Sequence, residues 1–422
     1  MPAAAAALER DKAAFARIAP PCPYYGRCGG CSLQDLEYAD QAALKRSRVE
    51  QALAPLRGVP GIAFHGAPDP WRYRNKAELT FSEDGERLTL GYHAARSFWR
   101  VVDIDDCLLL PAPMACLARR VRELARASEL PAYHPRTHRG FFRYLIVRSS
   151  PSTGQLLACL VTTSGGVPGA ADEATARAAV ERLAAEVTDA HPELAGFYWG
   201  VTDRLADVAV PERLALLAGA PHLADRLGAF RIRLGPLSFL QPNSAQAEQI
   251  YNRLSEALVD APVEGAGAPS PGGRVAWDLY CGLGLVSLYL SAAFGTVYAI
   301  DSEPGYLELA AVNAALNQAG NIRFRTGRVE ELLRDRRFWL QEARPDAVVV
   351  DPPRAGLHPQ ALASVQTARP ARLAYLSCNV QTLARDLAAL QSGYPRYRIA
   401  SVDAFDMFPQ TPHVETLVIL AR

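Results

Sequence analysis

A doubly wound α/β sheet preceded by a mostly antiparallel α+β region is the fold class that this 422-residue sequence predicts. Three observations carry it. From residue 275 onward, apolar strand patterns alternate with helical ones, the signature of a parallel sheet built from crossovers. The first of these strands runs Trp277-Asp278-Leu279-Tyr280 into the glycine turn Cys281-Gly282-Leu283-Gly284. Between about 71 and 235, short strand patterns are instead separated by turn signals such as Ser82-Glu83-Asp84-Gly85.

Taken in order, residues 1–20 are an Ala-rich tail, disordered or helical. Pro21 to Ser32 is a tight loop crowded with Cys, Gly, Pro and Tyr, and the spacing of Leu36, Ala39, Ala43, Val49 and Leu53 predicts a helix from Leu33 to about Leu56. Strands are expected at 77–81, 88–92, 142–148, 156–161, 196–201 and 230–234, with one amphipathic helix near 173–186. Gly265-Ala266-Gly267-Ala268-Pro269-Ser270-Pro271-Gly272-Gly273 reads as a flexible linker. Beyond it the strands are 275–280, 296–301, 321–325, 346–351, 371–377, 396–405 and 413–420, and the helices 284–293, 304–317, 328–334, 360–367 and 381–389. The domain division is therefore a tail (1–20), a cysteine loop with an α+β domain (21–235), and the doubly wound domain (236–422).

Composition narrows the class. The chain is 49% hydrophobic and 21% charged with a formal net charge of +1, so any attraction for polyanions must be local. The local basic clusters are Arg72, Arg74 and Lys76, and the run His134-Pro135-Arg136-Thr137-His138-Arg139 leading to Arg143. No apolar run reaches the length of a membrane span, and the N-terminus lacks the basic-then-apolar pattern of a secretory leader. The expectation is a cytoplasmic protein, where eight cysteines argue for metal binding or catalysis over disulfides.

In a doubly wound sheet, ligands sit beyond the C-terminal strand ends. Gly282 and Gly284 let the backbone approach a ligand, and Asp301, closing the second strand, can take both hydroxyls of a ribose. The turn lacks the third glycine of a dinucleotide fingerprint, so it reads either as an S-adenosylmethionine site or as a structural strand-to-helix turn. Asp351-Pro352-Pro353-Arg354 stiffens a loop at a later strand end, without the aromatic residue that an amino-group methyltransferase places after the prolines. Cys378, in Ser377-Cys378-Asn379, sits at another strand end, and Glu415 enters an apolar strand where a carboxylate is costly unless used. Together they make a nucleophile and a base on the cofactor side. Cys281, Cys116 and Cys159 read as buried structural cysteines.

Ser377-Cys378-Asn379, Asp351-Pro352-Pro353-Arg354-Ala355-Gly356, Pro409-Gln410-Thr411-Pro412-His413-Val414-Glu415 and Phe239-Leu240-Gln241-Pro242-Asn243 resemble the RNA uracil-5 methyltransferase family, over residues 22–422. The resemblance implies a Rossmann-like, S-adenosylmethionine-dependent methyltransferase domain. It implies Cys378 as nucleophile and Glu415 as base, with Gln241, Tyr280, Asp301 and Asp351 around the cofactor and Asp351 also near the uracil. Leu285 departs from the asparagine or glycine of many members. Two other readings compete: an iron–sulfur redox or sensor protein on a similar scaffold, and a noncatalytic RNA-binding or ribosome-assembly factor. Intact Cys378 and Glu415 disfavour both.

Cys22, Cys28 and Cys31 follow C-x5-C-x2-C spacing, with Cys107 far downstream. Four thiolates suit a metal, zinc or iron–sulfur on spacing alone, whereas radical S-adenosylmethionine spacing is excluded. The resemblance to the ribosomal RNA branch implies a 4Fe-4S cluster and favours 23S rRNA over tRNA as substrate. About twenty residues before Cys22 are too few for the N-terminal β-barrel that many such members carry, so Arg72, Arg74, Lys76 and Arg143 in the central domain are expected to hold RNA phosphates. No membrane association or obligate protein partner is expected.

Overall fold

The computed structural model describes residues 2–422 except 86, 98, 260–272, 336, 338 and 340–342, so the predicted linker lies, apart from Gly273, outside the described residues. The chain opens with α1 (Pro2–Lys12), α2 (Tyr38–Leu53) and a short strand, β1 (Ile62–His65). There follow β2 (Lys76–Asp84), β3 (Arg87–His93), β4 (Val101–Asp103), α3 (Ala112–Ala127), β5 (Phe142–Ser149), β6 (Leu156–Thr162), α4 (Glu173–Ala190), β7 (Leu194–Val201) and β8 (Arg213–Gly219). Among the described residues these strands form one sheet in the order β4-β3-β2-β5-β6-β7-β8. Only β6 and β7 pair in parallel, because α4 supplies the crossover that parallel neighbours need. Alternation along β2 sorts the two faces. Ala77, Leu79 and Phe81 pack under α3 and α4, while the opposite face, with Tyr144, Ile146, Leu157 and Cys159 on β5 and β6, meets the second half of the molecule.

A hairpin, β9 (Leu223–Leu227) and β10 (Phe230–Leu234), and α5 (Ser244–Val259) lead into that half. It comprises β11 (Val275–Leu279), α6 (Leu285–Ser291), β12 (Thr296–Asp301), α7 (Pro304–Leu316), β13 (Ile322–Thr326), α8 (Val329–Leu332), β14 (Ala347–Val350), α9 (Pro359–Ala368), β15 (Arg372–Ser377), α10 (Val380–Ser392), β16 (Arg398–Phe405) and β17 (Glu415–Ala421). The sheet order is β1-β16-β17-β15-β14-β11-β12-β13. Apolar cores cover both faces: α5, α6 and α7 on one, α2, α8, α9 and α10 on the other. The alternation read from the sequence is the observed one, with two differences. β17 runs antiparallel to both neighbours, because the loop between β16 and β17 is too short for a crossover. And β1, from the N-terminal part of the chain, pairs in parallel with β16 (Ile62↔Val402 to His65↔Phe405), extending the sheet edge. Helices α3 and α5 and strands β1, β4, β8 and β9 were not among the expected elements.

The loop from Asp406 to Val414 delivers Glu415 to its strand, and residues from the other end of the chain hold it. Lys45 of α2 and Asp406 form an ion pair at 2.5 Å, with both side chains fully buried, and Lys45 Nζ also donates to the Phe408 carbonyl at 3.0 Å. Gln41 and Gln410 bond reciprocally: Gln41 Nε2 donates to Gln410 Oε1 at 2.9 Å, and the Gln410 backbone N–H to Gln41 Oε1 at 3.1 Å. The Gln410 carbonyl accepts from Ser32 and Leu33, next to Cys31. Tyr73 closes the seal, its hydroxyl donating to the Pro409 carbonyl at 3.1 Å. Gln410 itself has φ +69°, a left-handed conformation held by these contacts. Replacing Lys45 by Met leaves the Asp406 carboxylate buried and uncompensated. Denaturant unfolding should show a loss of roughly 3–5 kcal/mol, and a loss under ~1 kcal/mol would mean that the pair does not hold the loop.

Candidate active site and cysteine loop

Chain order creates the site. From β11 the chain builds outward through β12 and β13, then returns to β14 on the other side of β11, which opens a crevice beyond the strand ends. Leu279 and Val350 are paired in that register, so Tyr280 and Asp351 leave the sheet side by side. The turn after β11 needs left-handed backbone at Tyr280 (φ +67°), Gly282 (φ +52°) and Gly284 (φ +70°). At Gly284 space matters too: a Cβ there would meet Ala310 at 3.2 Å and Phe324 at 3.3 Å. Asp301, ending β12, accepts from the Gly282 N–H at 2.9 Å and the Glu303 N–H at 3.0 Å, which fixes its carboxylate over the turn. Gln241 is buried on a loop tied to the first sheet, its carbonyl accepting from Asn75 Nδ2 at 2.8 Å.

The second half of the site follows from antiparallel register. β15 and β17 pair from Arg372↔Ala421 to Ser377↔Thr416. One step further along the same register, Cys378 stands opposite Glu415. Asn379 caps α10, accepting from the Gln381 N–H at 3.1 Å, while its Nδ2 donates to the Arg354 carbonyl at 2.9 Å. The Pro-Pro-Arg loop is thus tied to the residue next to the thiol. One cavity of about 1620 Å³ is lined by Gln241, Tyr280, Gly282, Asp301, Asp351, Cys378 and Glu415 together. The seven residues expected around the cofactor and the reacting atoms thus line one cavity.

Ionisable side chains line much of this cavity, and Asp278 and Glu415 among them are buried. Burial lifts Asp278 and Asp351 each to about 7, and proximity to Asp278 adds to the rise at Asp351. Ser287 Oγ donates to Asp278 at 2.5 Å and counteracts its rise. Burial, then Asp351, pushes Glu415 well above the carboxylate range, with Arg354 opposing, and Glu415 Oε2 has no hydrogen-bond partner. Burial, then Glu415, also raises the Cys378 thiol, again with Arg354 opposing. Such a site holds spare protons and stabilises incoming positive charge. Asp278 and Arg354 were not among the expected site residues. An aspartate inside the apolar strand Val275-Ala276-Trp277-Asp278-Leu279 was the available signal, since buried acids are rare without a task.

Cys22, Cys28, Cys31 and Cys107 come together beside the first sheet; none of them lines this cavity, but Arg74 and Tyr92, which do, lie close enough to interact with them. Cys28 forms a β-bridge with Ala94 and its sulfur accepts from the Gly30 N–H at 3.3 Å. Burial raises the Cys31 thiol to about 12, and the nearby Cys107, Cys28 and Cys22 add to the rise. All four are free thiols. Among the described residues no group of three or more His, Cys, Asp or Glu side chains has the arrangement to hold a metal ion.

Three expectations need correction. Arg72 does not face outward toward phosphates: its guanidinium clamps Asp106 at 2.6 and 2.7 Å and reaches the Cys107 and Leu110 carbonyls. Arg143 is buried, donating to the carbonyls of Thr202, Arg204 and Ala206. Sequence clustering of arginines cannot distinguish a phosphate ligand from a carbonyl clamp. Arg74 and Lys76 do line the cavity, although Lys76 pairs with Glu78 at 2.5 Å. The third correction is Cys116, which is exposed on α3, whereas Cys159 and Cys281 are buried as expected.

Known proteins resemble this chain. The family model described as tRNA (Uracil-5-)-methyltransferase matches residues 223–422. A protein of Nitratidesulfovibrio vulgaris named an uncharacterized RNA methyltransferase is 35% identical over 409 residues, covering 96% of this chain and 82% of its own length. A second of that name, from Halalkalibacterium halodurans, is 30% identical over 408 residues, covering 96% and 83%. The crystal structure of Pyrococcus abyssi tRNA (uracil-54, C5)-methyltransferase in complex with S-adenosyl-L-homocysteine superposes with a TM-score of 0.73 at 28% identity, covering 93% of this chain and 86% of that one. The chain is an RNA methyltransferase. It belongs to the RNA uracil-5 methyltransferase family.

The raised carboxylates give the ligand-free protein a defined pH response. Asp351 binds its proton more tightly folded (about 7) than unfolded (about 3.9). Its stabilising contribution is therefore full below the unfolded value and is lost as pH rises toward about 7. Asp351→Asn should raise the melting temperature at pH 8 by roughly a few degrees and leave it nearly unchanged at pH 4. A thermal-shift series in which the two proteins differ equally at every pH would show that Asp351 carries no such strain.

Proposed function

We propose that the protein methylates carbon 5 of a uridine in RNA, using S-adenosylmethionine, through a covalent bond between Cys378 and carbon 6 of the uracil. The observation that carries this reading is the β15–β17 register, which sets Cys378 against Glu415 at the mouth of a crevice suited to a nucleoside. Bound along Gln241, Tyr280, Gly282 and Asp301, S-adenosylmethionine supplies an electrophilic methyl group. Cys378 gives its proton to solvent and adds as the thiolate to carbon 6. The electron pair of the 5,6 double bond moves onto carbon 5 and its neighbouring carbonyl, and carbon 5 takes the methyl group as S-adenosylhomocysteine leaves with the electrons of the sulfur–methyl bond. Glu415 then removes the remaining carbon 5 proton, the double bond re-forms, and Cys378 leaves with the electrons of the carbon–sulfur bond. Asp351, deep in the crevice beside Asp278, holds cofactor and uracil in line, and Arg354 favours the thiolate. The target uridine must leave its stack, since carbon 6 is shielded within one.

Cys22, Cys28, Cys31 and Cys107 are proposed to carry a 4Fe-4S cluster. The four thiols lie near enough to raise one another, and four thiolates are the ligand set that such a cluster takes. Placed one residue before the Ser32–Gln410 contact, such a cluster would act as a structural clip on the Glu415 loop. The cysteine set favours 23S rRNA as substrate. A tRNA uridine is the second reading, supported by the description of the matching family and by the P. abyssi enzyme. We place the protein in the cytoplasm.

Labelled S-adenosylmethionine with unmodified 23S rRNA and tRNA transcripts tests the substrate, and efficient methylation of tRNA alone would remove the ribosomal assignment. Cys378→Ala should lose methyl transfer while still binding cofactor; retained turnover would exclude it as nucleophile. Glu415→Gln should accumulate a methyl-labelled protein–RNA adduct on denaturing gels, and free turnover without adduct would place the base elsewhere. Anaerobically purified protein should be brown with about four irons per chain, lost on changing Cys28 or Cys107 together with stability of the loop. Stoichiometric zinc without iron would overturn the cluster.

A further inference from the structure

The side of the first sheet that faces the methyltransferase half carries more than the wall of the catalytic cavity. Along β2, Lys76 and Glu78 line that cavity. The next residues on the same face, Thr80 and Ser82, line a separate hollow of about 100 Å³. By the ~3.4 Å rise per residue, Lys76 to Ser82 spans roughly 20 Å, so the hollow opens a few nucleotides' reach from the cavity.

Its chemistry is that of a base-binding site. Trp99 is 51% exposed at its rim, with the Arg136 guanidinium 4.3 Å from the ring centre. Tyr133 and His134 form another wall. At the floor, His93 Nδ1 is buried with no hydrogen-bond partner, and Asp207 lies beside it. Arg143 makes the walls rigid: it stacks 4.2 Å from the Tyr133 ring centre and grips the carbonyls of the loop that carries Asp207. An aromatic platform, adjacent cations and an unpaired polar atom at the floor are what an unstacked nucleotide requires.

We propose that this hollow receives an unpaired nucleotide of the substrate RNA, a few positions from the target uridine. Its base stacks on Trp99 and presents its edge to His93 and Asp207, while Arg136 and His134 meet the phosphate. The inference rests on the RNA-methylating function proposed above. It gives the basic run at 134–139 a task that Arg72 and Arg143 cannot perform.

Unmodified 23S rRNA and tRNA transcripts serve for turnover, and separate transcripts carrying 5-iodouridine, whose carbon 5 is blocked, serve as the cross-linking probe. Trp99→Ala, a surface change, should raise the KM for the methylated transcript roughly tenfold or more, leave kcat within about twofold, and leave S-adenosylmethionine affinity unchanged. Trp99→Phe should recover most of the loss, and irradiation of the wild type should cross-link RNA to peptides containing Trp99 or Tyr133. Wild-type protein that methylates neither transcript would count against the proposed function, and the cross-link map would still report on the hollow. Normal wild-type turnover with an unchanged Trp99→Ala KM, or cross-links that avoid both peptides, would overturn the nucleotide site.

Discussion

The ion pair between Lys45 and Asp406 is the constraint on which the site depends. Two fully buried charges are costly to desolvate, and their attraction offsets that cost only in good geometry with further hydrogen bonds. Lys45 meets the condition by also binding the Phe408 carbonyl. The arrangement adds little net stability but makes alternatives expensive: any shift of the 406–414 loop strands a charge in the core. Because the loop ends one residue before Glu415, the position of a carboxylate inside an apolar strand is dictated by a lysine on a helix at the far end of the sequence.

Within the cavity the same economy appears in reverse. Burial raises Asp278, Asp351 and Glu415; Asp278 adds to the rise at Asp351, and Asp351 to the rise at Glu415, where Arg354 opposes it. A site balanced in this way is electrostatically unfinished when empty. A positively charged ligand completes it, and the thiol beside Glu415 then lies in a field less hostile to its ionised form. The strain is local and sits where strand ends, not strand centres, carry the groups.

Much of this was legible in the sequence, for identifiable reasons. Strands β11 to β15 are short apolar runs ending in polar or glycine-rich punctuation, so both the elements and the residues at their ends, Asp301, Asp351 and Cys378, could be placed. Glu415 was visible because a carboxylate entering an apolar strand is anomalous. What stayed hidden was determined by partners far away in sequence. Strand β1, four residues long, takes its identity from β16. Arg72 and Arg143 look like phosphate ligands until the carbonyls that they bind are known. That Cys378 faces Glu415 follows from the antiparallel direction of β17, which the alternation of elements does not reveal.

The reciprocal amide bonds between Gln41 and Gln410 join residues separated by 369 positions. With β1 completing the sheet edge, they mean that the chain must be almost fully synthesised before its reactive centre exists. A nascent polypeptide emerging from the ribosome can fold its first sheet and wind most of the second, yet its thiol still lacks the opposing carboxylate. A chain without β17 therefore has the thiol of Cys378 without the carboxylate of Glu415 opposite it. The last strand of the sheet, β17, acts, in effect, as the arming step.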